Sequence, residues 1–250
     1  MRPSLTTVVD CAIIFVTVVL CSDLWATEST QHILRRADEA RGNLAGVTWE
    51  VVLEAVEQTH TTTTTFDVKA RGFDIVAANL APPQHKGNTV LMLQGNIWFY
   101  KPGLSKPVPI SQRQKLLGNA AYGDIAATNY AQDYTATVLA DETVNGEPCA
   151  VFDLLAKDKK ATYDRIKYWI ATGRLVGVKA EYFTVSGKKF KAATMEYANT
   201  VTIDGEERPF ISHLRIHDEL LSHDVTTLTF HRPVLQRLPD HLFNLNLLVK

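Results

Sequence analysis

The strongest constraint in this sequence is a period-two alternation of apolar and polar residues that recurs over most of its length. Apolar side chains alternate with polar ones through Trp49–Ala55 and again through Thr64–Ala70. Further along, apolar runs are separated by turn dipeptides, namely Asn145-Gly146, Thr172-Gly173, Ser186-Gly187 and Asp204-Gly205. Alternation places every second side chain on one face of a strand, and these dipeptides are typical of tight hairpins. The pattern predicts an antiparallel meander of roughly ten strands.

Two segments depart from the alternation. A helix is predicted from Ser29 to Asn43, with an apolar face that includes Leu34 and Ala37. A long break follows from Lys101 to Gln132, where prolines precede helical patterns at Ser111–Leu117 and around Asp124–Gln132. Strands do not alternate regularly with helices, which disfavours a parallel α/β sheet. We therefore expect a mainly β (α+β) fold.

The N-terminus has the character of an export signal. The apolar run Cys11–Cys21 is too short to cross a membrane as a helix, and Ala26 is a suitable small residue before a cleavage site. We interpret residues 1–26 as a signal peptide and residues 27–250 as one domain, in keeping with the length of single all-β units. The alternative is an uncleaved signal that anchors the protein in the inner membrane.

Composition excludes several classes of protein. The chain is 46% hydrophobic, which is enough to bury a core. Removing residues 1–26 takes away Arg2, Asp10 and Asp23 and leaves 25 basic and 25 acidic side chains. A neutral chain lacks the long-range field that attracts nucleic acid, so no nucleic-acid partner is expected. Cys149 is then the single cysteine, and no intrachain disulfide can form.

The sequence shows no convincing catalytic or metal-binding motif. His213 and His217 have a spacing that would suit zinc on a helix, but they lie in an alternating run with Arg215 between them. Ser186 belongs to a turn dipeptide, and Cys149 has no neighbour that would lower its pKa predictably. We expect no enzymatic activity, no metal and no cofactor.

The central segment resembles a known family. Matching residues are Lys86-Gly87, Val90-Leu91-Met92-Leu93, Trp98-Phe99-Tyr100, Pro102, Lys106-Pro107-Val108, Ile110-Ser111, Leu116-Leu117-Gly118, Gly123-Asp124-Ile125, Asp133-Tyr134, Gly146 with Pro148-Cys149, Ala161-Thr162-Tyr163, Trp169, Lys179-Ala180-Glu181, Ser186-Gly187-Lys188 and the ending from Pro239 to Phe243. The sequence resembles the LolA-like outer-membrane lipoprotein-sorting proteins, in particular the subgroup associated with RND/MMPL-type inner-membrane exporters.

The resemblance implies a half-open antiparallel β-barrel capped by an N-terminal helix and a central helical insertion. It also implies a monomeric periplasmic carrier that shields the acyl chains of a lipoprotein or lipid on the way to the outer membrane. The alternative is a non-catalytic accessory subunit that docks on an RND/MMPL-type exporter and moves no lipid itself.

Candidate site residues follow from size and position. Bulky side chains on alternating strands are the candidates for lining a cavity, with plain core packing as the alternative: Trp49, Phe66, Trp98, Tyr100, Trp169 and Tyr182. The insertion interrupts a regular sheet, and such loops often carry function. Its candidates for a lid or partner contact, with a simple strand connection as the alternative, are Lys101, Lys106, Arg113, Leu116 and Leu117.

Overall fold

The computed structural model describes residues 29–126, 128–219 and 224–248, and the predicted signal peptide, residues 1–26, lies outside them. Within these ranges there are two α-helices, α1 over residues 29–39 and α2 (Tyr130–Asp133). The described strands are β1 (Val47–Glu57), β2 (His60–Arg71), β3 (Asp74–Ala81), β4 (Thr89–Leu93), β5 (Asn96–Tyr100), β6 (Val108–Ile110), β7 (Lys115–Leu117), β8 (Ala120–Ala121), β9 (Tyr134–Val138), β10 (Glu142–Val144), β11 (Glu147–Ala156), β12 (Arg165–Ala171), β13 (Val176–Phe183), β14 (Lys189–Glu196), β15 (Asn199–Ile203), β16 (Glu206–Phe210), β17 (His213–Asp218) and β18 (Val225–Leu235). Short 3-10 turns occupy Pro83–His85, Tyr122–Ile125, Asp240–Phe243 and Leu245–Leu247.

Fourteen of the described strands form one antiparallel sheet. Its order is β10-β11-β12-β13-β14-β17-β18-β1-β2-β3-β4-β5-β6, and β9 pairs with β11 on the same side as β10. Within the described ranges β6 does not pair with β9 or β10, so the sheet curls without closing. The predicted half-open antiparallel barrel is confirmed. The predicted number of strands was too low, because short strands such as β6 to β8 leave no long alternating run in the sequence.

The turn dipeptides lie at hairpins as predicted. Asn145-Gly146 joins β10 to β11, and Asp204-Gly205 joins β15 to β16. Asn145, Gly146, Asp204 and Gly205 all have positive φ, between 51° and 83°. These values match the hairpin turns that such residues form without steric cost.

The sheet has an inner face, which carries the main core, and an outer face. Buried residues alternate strictly in β1, from Val47 to Ala55, and in β2, from Thr64 to Ala70. Helix α1 packs its Leu34 and Ala37 against this inner face, where both are fully buried. The helix ends at residue 39, four residues earlier than predicted, and the chain turns through Gly42 at a φ of 102°.

The insertion between β5 and β9 is extended where the sequence predicted a helix. The prediction of a helix over Ser111–Leu117 is wrong, because residues 115–117 form β7, which pairs with β8. Helical geometry is limited to the 3-10 turn at Tyr122–Ile125 and the single turn of α2. Contacts with strands that are far away in the sequence stabilise this extended path. A local sequence pattern carries no information about such contacts.

Candidate functional site

Aromatic side chains fill the inner face beneath α1. Tyr163 stacks on Tyr182 with 3.9 Å between ring centroids. Tyr130 meets Tyr134 and Tyr168 edge-on at 5.2 and 5.3 Å. All five rings are buried, and edge-on and stacked contacts of this kind add to the stability from burial. This part of the barrel is packed core.

Two charged groups are buried at the end of α1 beside these tyrosines. Asp38 accepts a hydrogen bond from the backbone N–H of Ala131 at 2.9 Å. The guanidinium of Arg41 lies over the Tyr130 ring and contacts its hydroxyl at 3.4 Å. Burial raises the pKa of Asp38 to about 6, because loss of hydration outweighs the hydrogen bonds and the attraction of Arg41. The end of α1 therefore holds a carboxyl that titrates at mildly acidic pH.

Asp124 connects the insertion to the tyrosine cluster. Its carboxylate accepts hydrogen bonds from the Tyr163 hydroxyl and from the Ala121 N–H, both at 2.8 Å. Burial raises the pKa of this carboxyl as well. The contact holds the end of the insertion against the inner face.

An apolar cavity of about 300 Å³ lies on the inner face of β2 to β5, beside this packed region. Its apolar lining comes from three strands of the sheet and from the insertion: Phe66, Val90, Phe99, Leu116, Leu117 and Tyr122. Its polar lining is concentrated at one side: Thr62, Thr63, Thr64, Asn79, Gln84, His85 and Asn88. An apolar pocket with a few polar groups at one side is the usual form of a small-molecule site, and this volume is at the lower end of the usual range.

The insertion covers the cavity. Leu116 and Leu117 of β7 face the apolar side chains of β2, β4 and β5. Beyond them the chain makes a close approach to the centre of the sheet, where Gly118 lies against Ala55 of β1 and Thr226 of β18. The insertion thus closes one side of the cavity, while Thr62, Gln84 and His85 on the other side are exposed to solvent.

Polar contacts hold the insertion in place at several points. Gln112 donates to the Gly95 carbonyl at 3.0 Å and accepts from the Thr162 hydroxyl at 3.2 Å. The Asn119 backbone N–H donates to the Thr226 hydroxyl at 2.7 Å, and its carbonyl accepts from Lys191 at 2.6 Å. These partners lie in the β4–β5 turn, in the β11–β12 connection and on strands β14 and β18, so the insertion is held by several separate parts of the barrel.

We predict that Arg113 is one of these anchors. Its Nε donates to the Ala161 carbonyl at 2.7 Å, and its guanidinium forms an ion pair with Asp164 at 2.6 Å. Arg113→Met should lower the free energy of unfolding by about 1 kcal/mol, since the groups are only partly buried. It should also speed proteolytic cleavage within residues 101–118.

Urea denaturation and limited proteolysis measure both effects, and Lys106→Met at an exposed position is the control. Equal cleavage of the two variants would contradict an anchoring role for Arg113.

Comparison with known proteins identifies the family. A family model described as an uncharacterized protein matches residues 74–250, and the chain belongs to that family. A LolA superfamily protein from Nitrosomonas europaea is 29% identical, with a TM-score of 0.77 over 87% of this chain and 98% of that one. The chain has the LolA-like fold. Its assignment to the RND/MMPL-associated subgroup stays a prediction.

Two more distant structures share the LolA-like fold. An outer membrane lipoprotein-sorting protein domain from Vibrio parahaemolyticus is 18% identical, with a TM-score of 0.74 over 89% of this chain and 99% of that one. A DUF1329 family protein from Desulfovibrio piger has the same identity and TM-score, over 89% and 98%. No curated protein matches the chain at a significant level.

The LolA-like barrel brings together three of the predicted site residues. Phe66, Leu116 and Leu117 line the inner cavity. Trp49 and Tyr182 lie deeper in the packed inner core, where Trp49 contacts Phe210 edge-on at 5.8 Å between ring centroids.

The other predicted aromatic residues lie on the outer face. Tyr100 lines an outer groove, and Trp98 is paired with Leu91 on the same side of the sheet. Trp169 is buried in a second cluster, where its indole N–H donates to Glu142 at 2.8 Å. Lys101 and Lys106 are exposed at the start of the insertion. None of these side chains is part of the cavity that the insertion covers.

The outer groove has a volume of about 760 Å³ and lies beneath the C-terminal segment. Asp67, Lys69 and Val76 form part of its floor, and Leu242 and Leu247 lie on the opposite side. Its lining is about as apolar as that of the inner cavity, and only its greater exposure to solvent makes it the weaker candidate for shielding an apolar ligand.

The histidine, serine and cysteine candidates are dispersed. His213 and His217 lie on β17 with alternating burial, as the strand prediction required, and His213 is next to Glu196. Ser186 is exposed in the turn between β13 and β14. Burial raises the pKa of the Cys149 thiol, which disfavours the nucleophilic thiolate. The described residues contain no cluster of His, Cys, Asp or Glu side chains suited to a metal ion.

Several cavity residues were not predicted from the sequence. Val90 and Phe99 lie on neighbouring strands, and the register pairs them directly. Alternation already placed Val90 on the same face of β4 as Met92, and Phe99 on the same face of β5 as Ile97. This pattern could have been used to group these side chains on one face of the sheet. Asn79 was missed because a single polar residue in an apolar strand has no sequence signature.

Proposed function

We propose that this LolA-like protein is a non-enzymatic periplasmic carrier that shields an acyl chain of a lipid or lipoprotein in the inner cavity. The apolar cavity beneath the insertion is the single observation that supports this proposal most strongly. The Vibrio relative, named as a lipoprotein-sorting domain, is consistent with it.

The energetics favour such a role. Each methylene exposed to water costs about 0.8 kcal/mol, so a chain of about 15 methylenes costs about 12 kcal/mol. An apolar cavity recovers that free energy without any catalytic group. Phe66, Val90 and Phe99 supply a wall that has no charged side chain, in keeping with cargo that is held by burial rather than by charge.

The cavity as described accommodates part of one acyl chain. A volume of about 300 Å³ is small among ligand sites. A longer chain requires the insertion to move outwards, and Leu116 and Leu117 are the side chains that would move with it. We therefore propose that the insertion acts as a lid and that its apolar residues remain in contact with the ligand.

Export by the N-terminal signal and partnership with an exporter are parts of the proposal that need their own tests. None of the described helices is both long and apolar enough to span a membrane. N-terminal sequencing of the protein from a periplasmic fraction would test cleavage after residue 26. Co-purification with an inner-membrane exporter would test the partnership.

Blocking the cavity is the decisive test of acyl-chain binding. Val90→Phe adds a ring that points into the cavity, so the affinity for a fluorescent long-chain fatty acid should fall by at least about tenfold. Because the ring enters existing space, we expect the free energy of unfolding to change by less than about 1.5 kcal/mol. Titration of delipidated protein measures the affinity.

Val76→Phe is the matched control. Val76 lies on the neighbouring strand β3 but lines the outer groove, so the same substitution should leave binding unchanged. If Val76→Phe weakens binding and Val90→Phe does not, the outer groove is the site. Absence of stoichiometric binding to the wild type would contradict the carrier and favour the docking subunit.

A further inference from the structure

The inner cavity opens at one end of the sheet. Neighbouring strands of the main sheet are antiparallel, so the connections at the end where β1 passes into β2 lie together. Among the described residues these connections comprise 58–59, 82–88, 101–107, 157–164, 184–188, 219 and 224, and we call them the cavity rim. Thr62, Gln84 and His85 line the cavity and are exposed at this end, so the cavity opens beside the rim.

The cavity rim carries a local excess of positive charge. Seven of its side chains are exposed lysines that form no ion pair with any described residue: Lys86, Lys101, Lys106, Lys157, Lys159, Lys160 and Lys188. Asp164 and Glu219 are paired with basic side chains outside the rim, and Asp224 is buried. Asp158 is left as the one exposed carboxylate without an ion pair in the described part of the rim. A chain of near-neutral charge thus concentrates positive charge where its cavity opens.

Large apolar side chains are also exposed at this end. Val185, at the tip of the β13–β14 hairpin, is 87% exposed, and Leu104 is exposed in the connection after β5. Leu80, Leu155 and Val108 are exposed at strand ends beside the rim. Five of the eight large apolar side chains that are exposed in the described ranges therefore lie at this end. Apolar side chains exposed among lysines are typical of surfaces that bind membranes.

The composition of the rim favours a bilayer over a protein partner. The described rim has seven lysines and no arginine. Protein interfaces are enriched in arginine and depleted in lysine, whereas anionic lipid head groups attract lysines as flexible point charges. The lysines are also spread over four separate connections. Such a distribution fits a broad anionic surface better than a single peptide or groove.

We propose that the cavity rim docks the protein on the surface of an anionic phospholipid bilayer, with Val185 inserted among the head groups and the lysines over lipid phosphates. The binding itself requires no cargo. Its consequence for cargo rests on the proposed carrier function, because a docked protein directs its cavity opening towards the bilayer. An acyl chain then passes between membrane and cavity without the cost of crossing water.

Vesicle binding by the wild type is the first test. Cosedimentation measures the affinity of the delipidated full chain for vesicles of phosphatidylcholine, alone or mixed with phosphatidylglycerol. We expect binding to the mixed vesicles to be at least about tenfold tighter. It should weaken as salt is added, because the screening length falls from about 30 Å at 0.01 M to about 8 Å at 0.15 M ionic strength.

A matched pair of double variants tests the rim. Replacing Lys159 and Lys188 by glutamine should weaken binding to the mixed vesicles by about tenfold, since one lysine close to such a surface contributes up to about fivefold. Replacing Arg174 and Arg237 by glutamine is the control. It removes the same charge from exposed positions at the other end of the sheet and should leave binding within about twofold of the wild type.

A fluorescent reporter tests the insertion of the hairpin tip. The emission of Val185→Trp should shift to shorter wavelength when the mixed vesicles are added, because the introduced indole leaves water. Val234→Trp is the control, since Val234 is also exposed but lies near the other end of β18. Equal shifts for the two variants would show that the tip is not the inserted part.

The outcomes separate docking from cargo binding. If the wild type does not bind the mixed vesicles at low ionic strength, or if both double variants lose affinity equally, the docking surface is wrong. The fatty-acid titration described above then still tests the carrier function by itself. Binding only to inner-membrane vesicles that retain their proteins would identify a protein partner and would also overturn the inference. Vesicle binding without any fatty-acid binding would contradict the carrier and support the docking surface alone.

Discussion

Replacing Gly118 by alanine is expected to release the insertion from the inner face and to lower the free energy of unfolding by about 3 kcal/mol. Gly118 has a φ of 54°, where a residue with a Cβ is strained by about 1 to 2 kcal/mol. The added methyl would also overlap Thr226 and would lie 2.6 Å from the Cβ of Ala55. Both neighbours are fully buried, and forcing atoms into a packed core costs about 1 to 3 kcal/mol more.

If the insertion is the lid proposed above, this variant should no longer hold it closed. Urea denaturation measures the loss of stability, and limited proteolysis within residues 101–121 shows whether the insertion has separated from the sheet. We also expect faster release of a bound fatty acid. Gly103→Ala is the control, since Gly103 has a φ of 93° but nothing within 4 Å of the added methyl. Similar losses for both variants would show that backbone strain, and not the close approach to β1 and β18, is responsible.

Stability is expected to fall as the pH rises from about 4 to about 7, and Asp38 should be a principal cause. Its pKa is about 6 in the folded protein against 3.8 in the unfolded chain. Between those values the folded state binds more protons than the unfolded state, so each increase in pH favours unfolding. The difference of about two pKa units corresponds to a contribution of about 3 kcal/mol to the free energy of unfolding. This contribution is fully present below pH 3.8 and is lost above pH 6.

Asp38→Asn isolates this contribution. The asparagine retains an oxygen that can accept from the Ala131 N–H but does not ionise. The variant should be up to about 3 kcal/mol more stable than the wild type at pH 7 and similar to it at pH 4. Denaturation curves at a series of pH values provide the measurement, and Asp204→Asn in an exposed turn is the control. A variant that is less stable than the wild type at pH 7 would show that Arg41 requires the negative charge of Asp38.

Strong local patterns predicted most of the fold correctly. The alternation in β1 and β2 identified both the strands and their buried faces, because only one set of side chains in each strand is consistently apolar. The turn dipeptides located the hairpins, since few other residues adopt positive φ cheaply. The LolA-like resemblance was carried by the ordered run around Trp98, and the similar LolA superfamily structure confirmed the fold.

The candidate site was harder to predict, and β5 shows why. Its two alternating sets, Ile97 with Phe99 and Trp98 with Tyr100, are both apolar. Alternation therefore separated the sets without indicating which one faces the cavity. Strand β12 did contain a usable signal, because Lys167 and Trp169 are two residues apart and therefore share a face, which the lysine marks as the polar side.

By itself, the sequence determined the long strands of the sheet, the near-neutral charge of the chain and the LolA-like fold. Each of these depends on residues that are close together in the chain or on simple counts. Only the tertiary structure decided that aromatic side chains fill the barrel near the end of α1 and that a cavity lies between the insertion and strands β2 to β5. Those features depend on contacts between residues far apart in sequence, such as Ala55, Gly118 and Thr226, and packing at such a distance leaves no periodic pattern in the chain.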